Sequence, residues 1–420
     1  MKKNILVLMA AIFTILLSVP NLWAFDAGQV QIHGFLSQGF LQTDENNYLA
    51  ETKDGTFQFN EFGINFSTEL TDNLRVGVQF FGRDLGPEGN DEVKLDWAFM
   101  DYRWKDWMGL RIGKMKLDYA LYNETREMDM LRTTIMLPQS IYAELWRDSF
   151  ATIKGMGVYG TVPAALAGSF AYSAQIGVLP LSDEGGFAAA MEDSLSAYKL
   201  DVTKMDSDYM YTLNLTWNTP LKGLRAKYSW YELQGFSVSG KVSGLIPYDL
   251  NRDGVISPGE GLPISQMSYD TPVFRGYFVG LEYTIGDFIL AGEFTDGDFN
   301  SRINLGYGNT ARPPLPSRGW YVSGSYRFNE LFSAAVTYSD YIPNMYDEDG
   351  NQQVRAGNND FEAWLKTWTL STRFDFNDNW LLKLEASWND GFGAYDSMAN
   401  KPGDLEQYWW LFAAKATVSF

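Results

Sequence analysis

The residues best spaced for chemistry lie in the stretch YDLNRDGVISPGE, 248–260. Asp249, Asn251 and Asp253 take positions one, three and five of a twelve-residue loop, with Gly254 at six, Val255 at seven, Ser257 at nine and Glu260 at twelve. This is the oxygen-ligand order of a calcium loop. Alternate side-chain oxygens are followed by a sharp turn that favours a residue without Cβ, a backbone carbonyl from Val255, a water-mediated position and a bidentate carboxylate. Many ligands, partly backbone, suit Ca2+ better than Mg2+. The flanks VSGLIPY and GLPISQM show no helical period, and Pro258 falls inside the loop. The expected role is therefore structural, a clip on a long exposed connection. YDEDGNQ, 346–352, reads as an ordinary Asp-rich turn.

A second set mixes charge with apolar residues. Between 119 and 149 stand Glu124, Arg126, Glu127, Asp129, Arg132, Glu144, Arg147 and Asp148, interleaved with Met128, Met130, Leu131, Ile135, Met136 and Leu137. A segment facing bulk water has no use for that apolar set; one packed on an inner wall has. Arg111, Lys114 and Lys116 are the nearest wall-side cations by sequence. Opposed charges across a narrow opening set up a transverse field that orients dipolar solutes, so these eleven residues are expected at a constriction. Strict strand alternation places Arg111 and Lys114 on opposite faces unless a bulge intervenes.

Other chemistry is poorly supplied. There is no cysteine, and His33 is the single histidine. Thiol, disulfide and His-rich metal sites are thereby excluded. No phosphate-binding glycine motif or nucleophile constellation occurs, and no catalysis is expected. A net charge of −19 argues against nucleic acid as a partner.

The elements that must position these residues are strands. In EFGINFSTEL, Phe62, Ile64 and Phe66 alternate with Glu61, Asn65 and Ser67; in WLLKLEASWN, Trp380, Leu382, Leu384, Ala386 and Trp388 alternate with Lys383, Glu385, Ser387 and Asn389. This is the period of two that a strand requires. Sixteen such segments of about 10–17 residues can be marked, joined alternately by short turns and long loops. Aromatic residues crowd the ends of the apolar rows. Together these predict an all-β, transmembrane antiparallel barrel with both termini on the short-turn side, closed so that no strand edge meets lipid. A barrel of this size encloses more space than side chains fill, so a wet lumen follows. Domain organisation is simple. Lys2, Lys3 and the apolar run Ile5–Leu17, ending near VPNLWA, read as a signal peptide over 1–24; residues 25–420 form the barrel domain.

Two further stretches carry a family resemblance. LFAAKATVSF, with Phe412, Ala414, Ala416, Val418 and Phe420 in one apolar row, resembles the terminal assembly signal of bacterial outer-membrane proteins. LRIGKMKLDYALYNETR, followed by LPQSIYAELWRD and GMGVYG, resembles the centre of porins of the phosphate-selective porin O/P-like superfamily, most closely over 56–160. That resemblance implies an inward-folded third loop, a homotrimer and passive diffusion of ions and small hydrophilic solutes across the outer membrane. The alternative is a structural or adhesion barrel, or a sleeve for a partner protein. The family's basic pore rows are not reproduced. Arg75, Arg275, Arg327, Arg373, Lys383 and Lys415 are offset by inward candidates Glu61, Glu69, Glu282, Glu293 and Glu385, and phosphate selectivity is not expected.

Overall fold

Sixteen spanning strands close on themselves in a computed structural model that describes residues 30–420 other than 87, 196–197, 248–260, 300, 305–309, 312–315, 394–399 and 401–402. They are β1 (Gln31–Thr43), β2 (Phe59–Thr71), β3 (Leu74–Leu85), β4 (Lys94–Lys105), β5 (Met108–Lys116), β6 (Thr152–Pro163) and β7 (Ser169–Val178). β8 runs in two pieces, Asp201–Asp206 and Met210–Asn218, both laid along β9 (Leu224–Pro247). There follow β10 (Gly261–Ile285), β11 (Phe288–Phe299), β12 (Ser317–Arg327), β13 (Phe332–Ile342), β14 (Leu365–Asp375), β15 (Trp380–Asp390) and β16 (Tyr408–Ser419). Every neighbour is antiparallel, and β16 returns to β1 with Phe35 opposite Ser419. Gly34 and Phe420 exchange backbone hydrogen bonds at 2.9 and 3.0 Å, so the chain's last residue seals the seam. The signal-peptide residues 1–24 and all six calcium candidates, Asp249, Asn251, Asp253, Val255, Ser257 and Glu260, lie outside the described residues.

The alternation read from the sequence divides lipid from lumen. On β15, Lys383, Glu385, Ser387 and Asn389 are buried inward while Leu384 is exposed outward; on β16, Lys415 and Thr417 are buried inward while Phe412 is exposed outward. Outward apolar residues such as Val322, Val336 and Leu370 form a continuous greasy band, which only a hydrocarbon surrounding makes favourable. Aromatic belts bound it. Near the short turns, Phe288, Tyr326, Phe328, Phe332 and Phe374 touch in series with ring centroids 4.3–5.2 Å apart. Toward the long loops, Trp320, Tyr338 and Trp368 do the same at 5.4 and 4.8 Å. Trp320 and Tyr326 are six residues apart on one strand, a rise of about 20 Å. Trp409 departs from the expected belt: it is buried inward, with its ring 5.2 Å from that of Tyr48.

One loop proved to be structure. Residues 235–271 read as a long connection, yet β9 and β10 continue through most of it, paired as far as Pro247 opposite Gly261. Val238, Val242, Ile264 and Met267 are buried there in one apolar cluster with Leu200 and Val202. Their period of two was present in FSVSGKVSG but diluted by glycine and serine.

Candidate functional site: a loop laid across the lumen

The chain between β5 and β6, residues 117–151, turns into the barrel. Its base is pinched by the Leu117 amide donating to the Ala151 carbonyl at 2.9 Å. Leu117, Ile135, Leu137, Ile141 and Tyr142 are all buried. Inside a barrel this apolar set has only the loop itself and the wall to pack on, which draws the segment inward.

Polar anchors then fix it around almost the whole wall. At the neck, Asp118 accepts from Lys227 at 2.5 Å and from Ser173 at 2.5 Å, while its amide donates to Gln175 at 2.9 Å. Glu293 on β11 accepts from the Leu121 amide at 2.6 Å, from Tyr321 at 2.8 Å and from the Tyr142 hydroxyl. At the far side Asp129 sits between Lys383 (3.3 Å) and Lys415 (2.8 Å), and Thr417 donates to it at 2.9 Å. Glu385 accepts from the Ile135 and Met136 amides and from Ser371. Arg373 donates to the Met130 and Arg132 carbonyls at 2.7 and 3.2 Å.

The remaining charges form one buried network. Arg147 pairs with Glu61, which also holds Lys415 at 2.6 Å. Glu144 takes Arg83 at 2.8 Å and Arg126 at 2.9 Å; Arg83 also meets Glu88 and Asp148. Lys116 joins Asp96 at 2.8 Å and Glu127. Burial disfavours the Glu144 carboxylate, but the guanidiniums of Arg126, Arg147 and Arg83 overcome that and hold its carboxyl well below the usual range.

The sequence candidates thus separate. Lys116, Arg126, Glu127, Asp129, Arg132, Glu144, Arg147 and Asp148 are brought together as anchors of the loop. Arg111 stands apart, paired with Asp101 at 3.0 Å and lying over the rings of Phe99 and Tyr159. Lys114 donates to the Leu95 carbonyl, and Glu124 is exposed.

Three cavities flank the loop, with Glu144 lining one and Arg132 another. The loop touches the wall at β12, where Ser140 donates to the Trp320 carbonyl at 3.1 Å, and again at β15 through Glu385. Beside residues 134–139 a gap lies against β13, β14 and β15. The gap is a cavity of about 40 Å³ lined by Thr134, Thr337, Ser339, Thr367, Thr369 and Ser387, among others. On the long-loop side it shares Tyr48, Leu49, Gln139 and Leu365 with a cavity of about 130 Å³. On the short-turn side it shares Thr134, Leu137, Pro138 and Thr337 with one of about 290 Å³. The smallest of the three is the middle one, and none of the eleven charged candidates lines it. Sequence reasoning passed over these hydroxyls. Their signal was present, since Thr337, Ser339, Thr367, Thr369 and Ser387 all occupy inward positions of amphipathic strands.

Comparison with known proteins supports the architecture. No family model and no curated protein matches the chain. Among solved structures, OmpF of Salmonella typhi, in complex with daunomycin, is 11% identical with a TM-score of 0.56, covering 93% of this chain and 97% of its own. The outer membrane channel DcaP of Acinetobacter baumannii is 11% identical with a TM-score of 0.54, covering 95% and 100%. An anion-selective porin from Comamonas acidovorans is 11% identical with a TM-score of 0.53, covering 93% and 99%. At such identity the likeness is one of fold: a porin-like barrel spanning the outer membrane.

Proposed function

We propose that this barrel is a passive diffusion channel for small hydrophilic solutes. The observation that carries the reading is a row of three cavities that share lining residues and flank the inward loop from its long-loop side to its short-turn side. The charges nearest the loop are engaged in pairs, so net selection between anions and cations is expected to be weak. The phosphate preference of the O/P-like porins would need unpaired basic rows, and the basic groups at this loop are matched by acids. Insertion of the purified protein into a planar bilayer tests the reading. Ohmic single-channel steps in KCl are expected, with a reversal potential near zero in a salt gradient. Insertion with no conductance would overturn it in favour of a structural barrel or sleeve.

Two further features belong to the same reading. Among the described residues no group of three or more Asp, Glu or His side chains is placed to hold a metal. Calcium binding is therefore proposed for 249–260 on its sequence alone, since that stretch lies outside the described residues. A homotrimer is proposed on the family resemblance.

A further inference from the structure

The cavity on the long-loop side of the inward loop is walled by rings. Six of them touch in one unbroken series. Trp146 meets Phe150 edge-on at 5.6 Å, Phe150 meets Phe274 edge-on at 5.9 Å, and Phe274 meets Tyr231 edge-on at 5.3 Å. Tyr231 then lies 5.6 Å from Phe278, which stacks on Tyr119 at 5.0 Å. All six line the cavity. Three come from the two ends of the loop and three from β9 and β10, so the series also ties loop to wall. Close-packed protein interiors leave few voids larger than a water molecule. Here about 130 Å³ stays open, bordered further by Tyr48, Leu49, Leu117, Met210 and Leu365.

The polar groups on its border are already committed. Gln139 donates to the Leu137 carbonyl and accepts from the Glu144 amide, both at 2.9 Å. Ser140 donates to the Trp320 carbonyl, and Thr295 to that of Tyr277. Glu144 is the one charged group on the border among the described residues, and it has one oxygen on Arg83 and the other on Arg126. Water held in a cavity needs about two to four polar partners, and here most are taken. A charged solute would leave its hydration shell and gain no free counter-ion. A neutral ring loses little on leaving water, and it gains faces and edges that attract another ring in offset or edge-on geometry. Size agrees: an apolar cavity of about 150 Å³ holds one benzene molecule. The space here admits one six-membered ring with a small substituent.

We propose that this cavity binds neutral single-ring aromatic compounds, phenol being a simple water-soluble example, between the loop rings Tyr119, Trp146 and Phe150 and the wall rings Tyr231, Phe274 and Phe278. The inference goes beyond the diffusion reading and does not depend on it. Binding is measured on the purified barrel in detergent micelles by fluorine NMR of para-fluorophenol, with protein-free micelles subtracted. Saturable broadening of the probe signal is expected. Phenol should displace the probe at about fivefold lower concentration than cyclohexanol, which is similar in size and carries the same hydroxyl but has no π-face. Thr295 stands directly opposite Phe278 in the β10–β11 ladder, and Thr295→Phe should fill the cavity and abolish saturable binding. Phe278→Leu keeps an apolar side chain and removes the ring; it should weaken binding about fivefold and serves as the second variant should the first misfold. Heat-modified electrophoretic mobility reports which variants fold. Non-saturable binding to the wild type, equal displacement by phenol and cyclohexanol, or unchanged affinity in the folded variants would overturn the site. No channel current enters these measurements, so each of those outcomes leaves the diffusion reading standing, and a barrel that fails to conduct leaves the aromatic site standing.

Discussion

Asp129→Asn is the perturbation that best separates the loop from the barrel. Asp129 lies between two lysines from adjacent wall strands, and Lys383 is fully buried. With the carboxylate gone, Lys415 keeps Glu61 at 2.6 Å, but Lys383 keeps only the Thr134 carbonyl at 3.0 Å. Breaking a buried ion pair by removing one partner costs about 3–5 kcal/mol, because a charge is left uncompensated. The molecule can avoid that cost by lifting residues 128–137 off the wall so that water reaches Lys383. The strand ladder does not depend on Asp129, so the barrel itself should persist. At about 1.4 kcal/mol per factor of ten, a 3 kcal/mol shift lowers the docked-to-undocked ratio by roughly a hundredfold. The expected result is faster hydrogen exchange at Ile135 and Met136, whose amides are held by Glu385, with larger and noisier single-channel currents. Heat-modified electrophoretic mobility should still report a folded barrel. Asp106→Asn, at an exposed pair with Arg103, is the matched control and should leave exchange and current unchanged. Wild-type exchange in Asp129→Asn, or loss of the whole barrel, would refute the view that this network docks a loop on an independently stable wall.

Three other outcomes follow. Leu370→Arg places a charge on the outward face at a residue 54% exposed; in a soluble protein it would be nearly silent, whereas here it should cost about 2–4 kcal/mol in unfolding from lipid vesicles if it lies near the bilayer midplane. The Glu144 carboxyl is held low by its guanidiniums, so its contribution is present above the ordinary carboxylate pKa and is lost only as pH falls through the depressed folded value; the Glu144 carboxylate, followed by site-labelled infrared or carbon NMR, should therefore remain ionised down through about pH 4, and its protonation at pH 5–6 would contradict the geometry. Calcium should slow protease cleavage within 249–260 and a chelator should restore it, with Asp253→Asn abolishing the difference; cleavage indifferent to calcium would remove the proposed clip.

Much of this architecture was legible without coordinates. The period-two rows of β2 and β15, the rhythm of short turns and long loops, and the terminal Phe420 row were enough to specify a closed barrel of sixteen strands. Each is a local pattern whose meaning depends only on which neighbour faces lipid. The inward loop was legible for a related reason: a charged segment carrying Ile135, Met136 and Leu137 needs a wall to pack on. The upper halves of β9 and β10 were missed because glycine and serine dilute their apolar alternation. What only the tertiary structure decided is which residues border the opening. Charge in a sequence does not say whether a partner waits across the lumen. Asp129 meets Lys383 and Lys415 from more than 250 positions away, so a residue that looked free to shape a field holds the loop instead. Where a gap is left beside β13 and β14 depends on the distance between the loop's anchors at Trp320 and Glu385, and closure of the barrel sets that distance. The sequence could therefore supply the hydroxyls of the gap but not the gap itself.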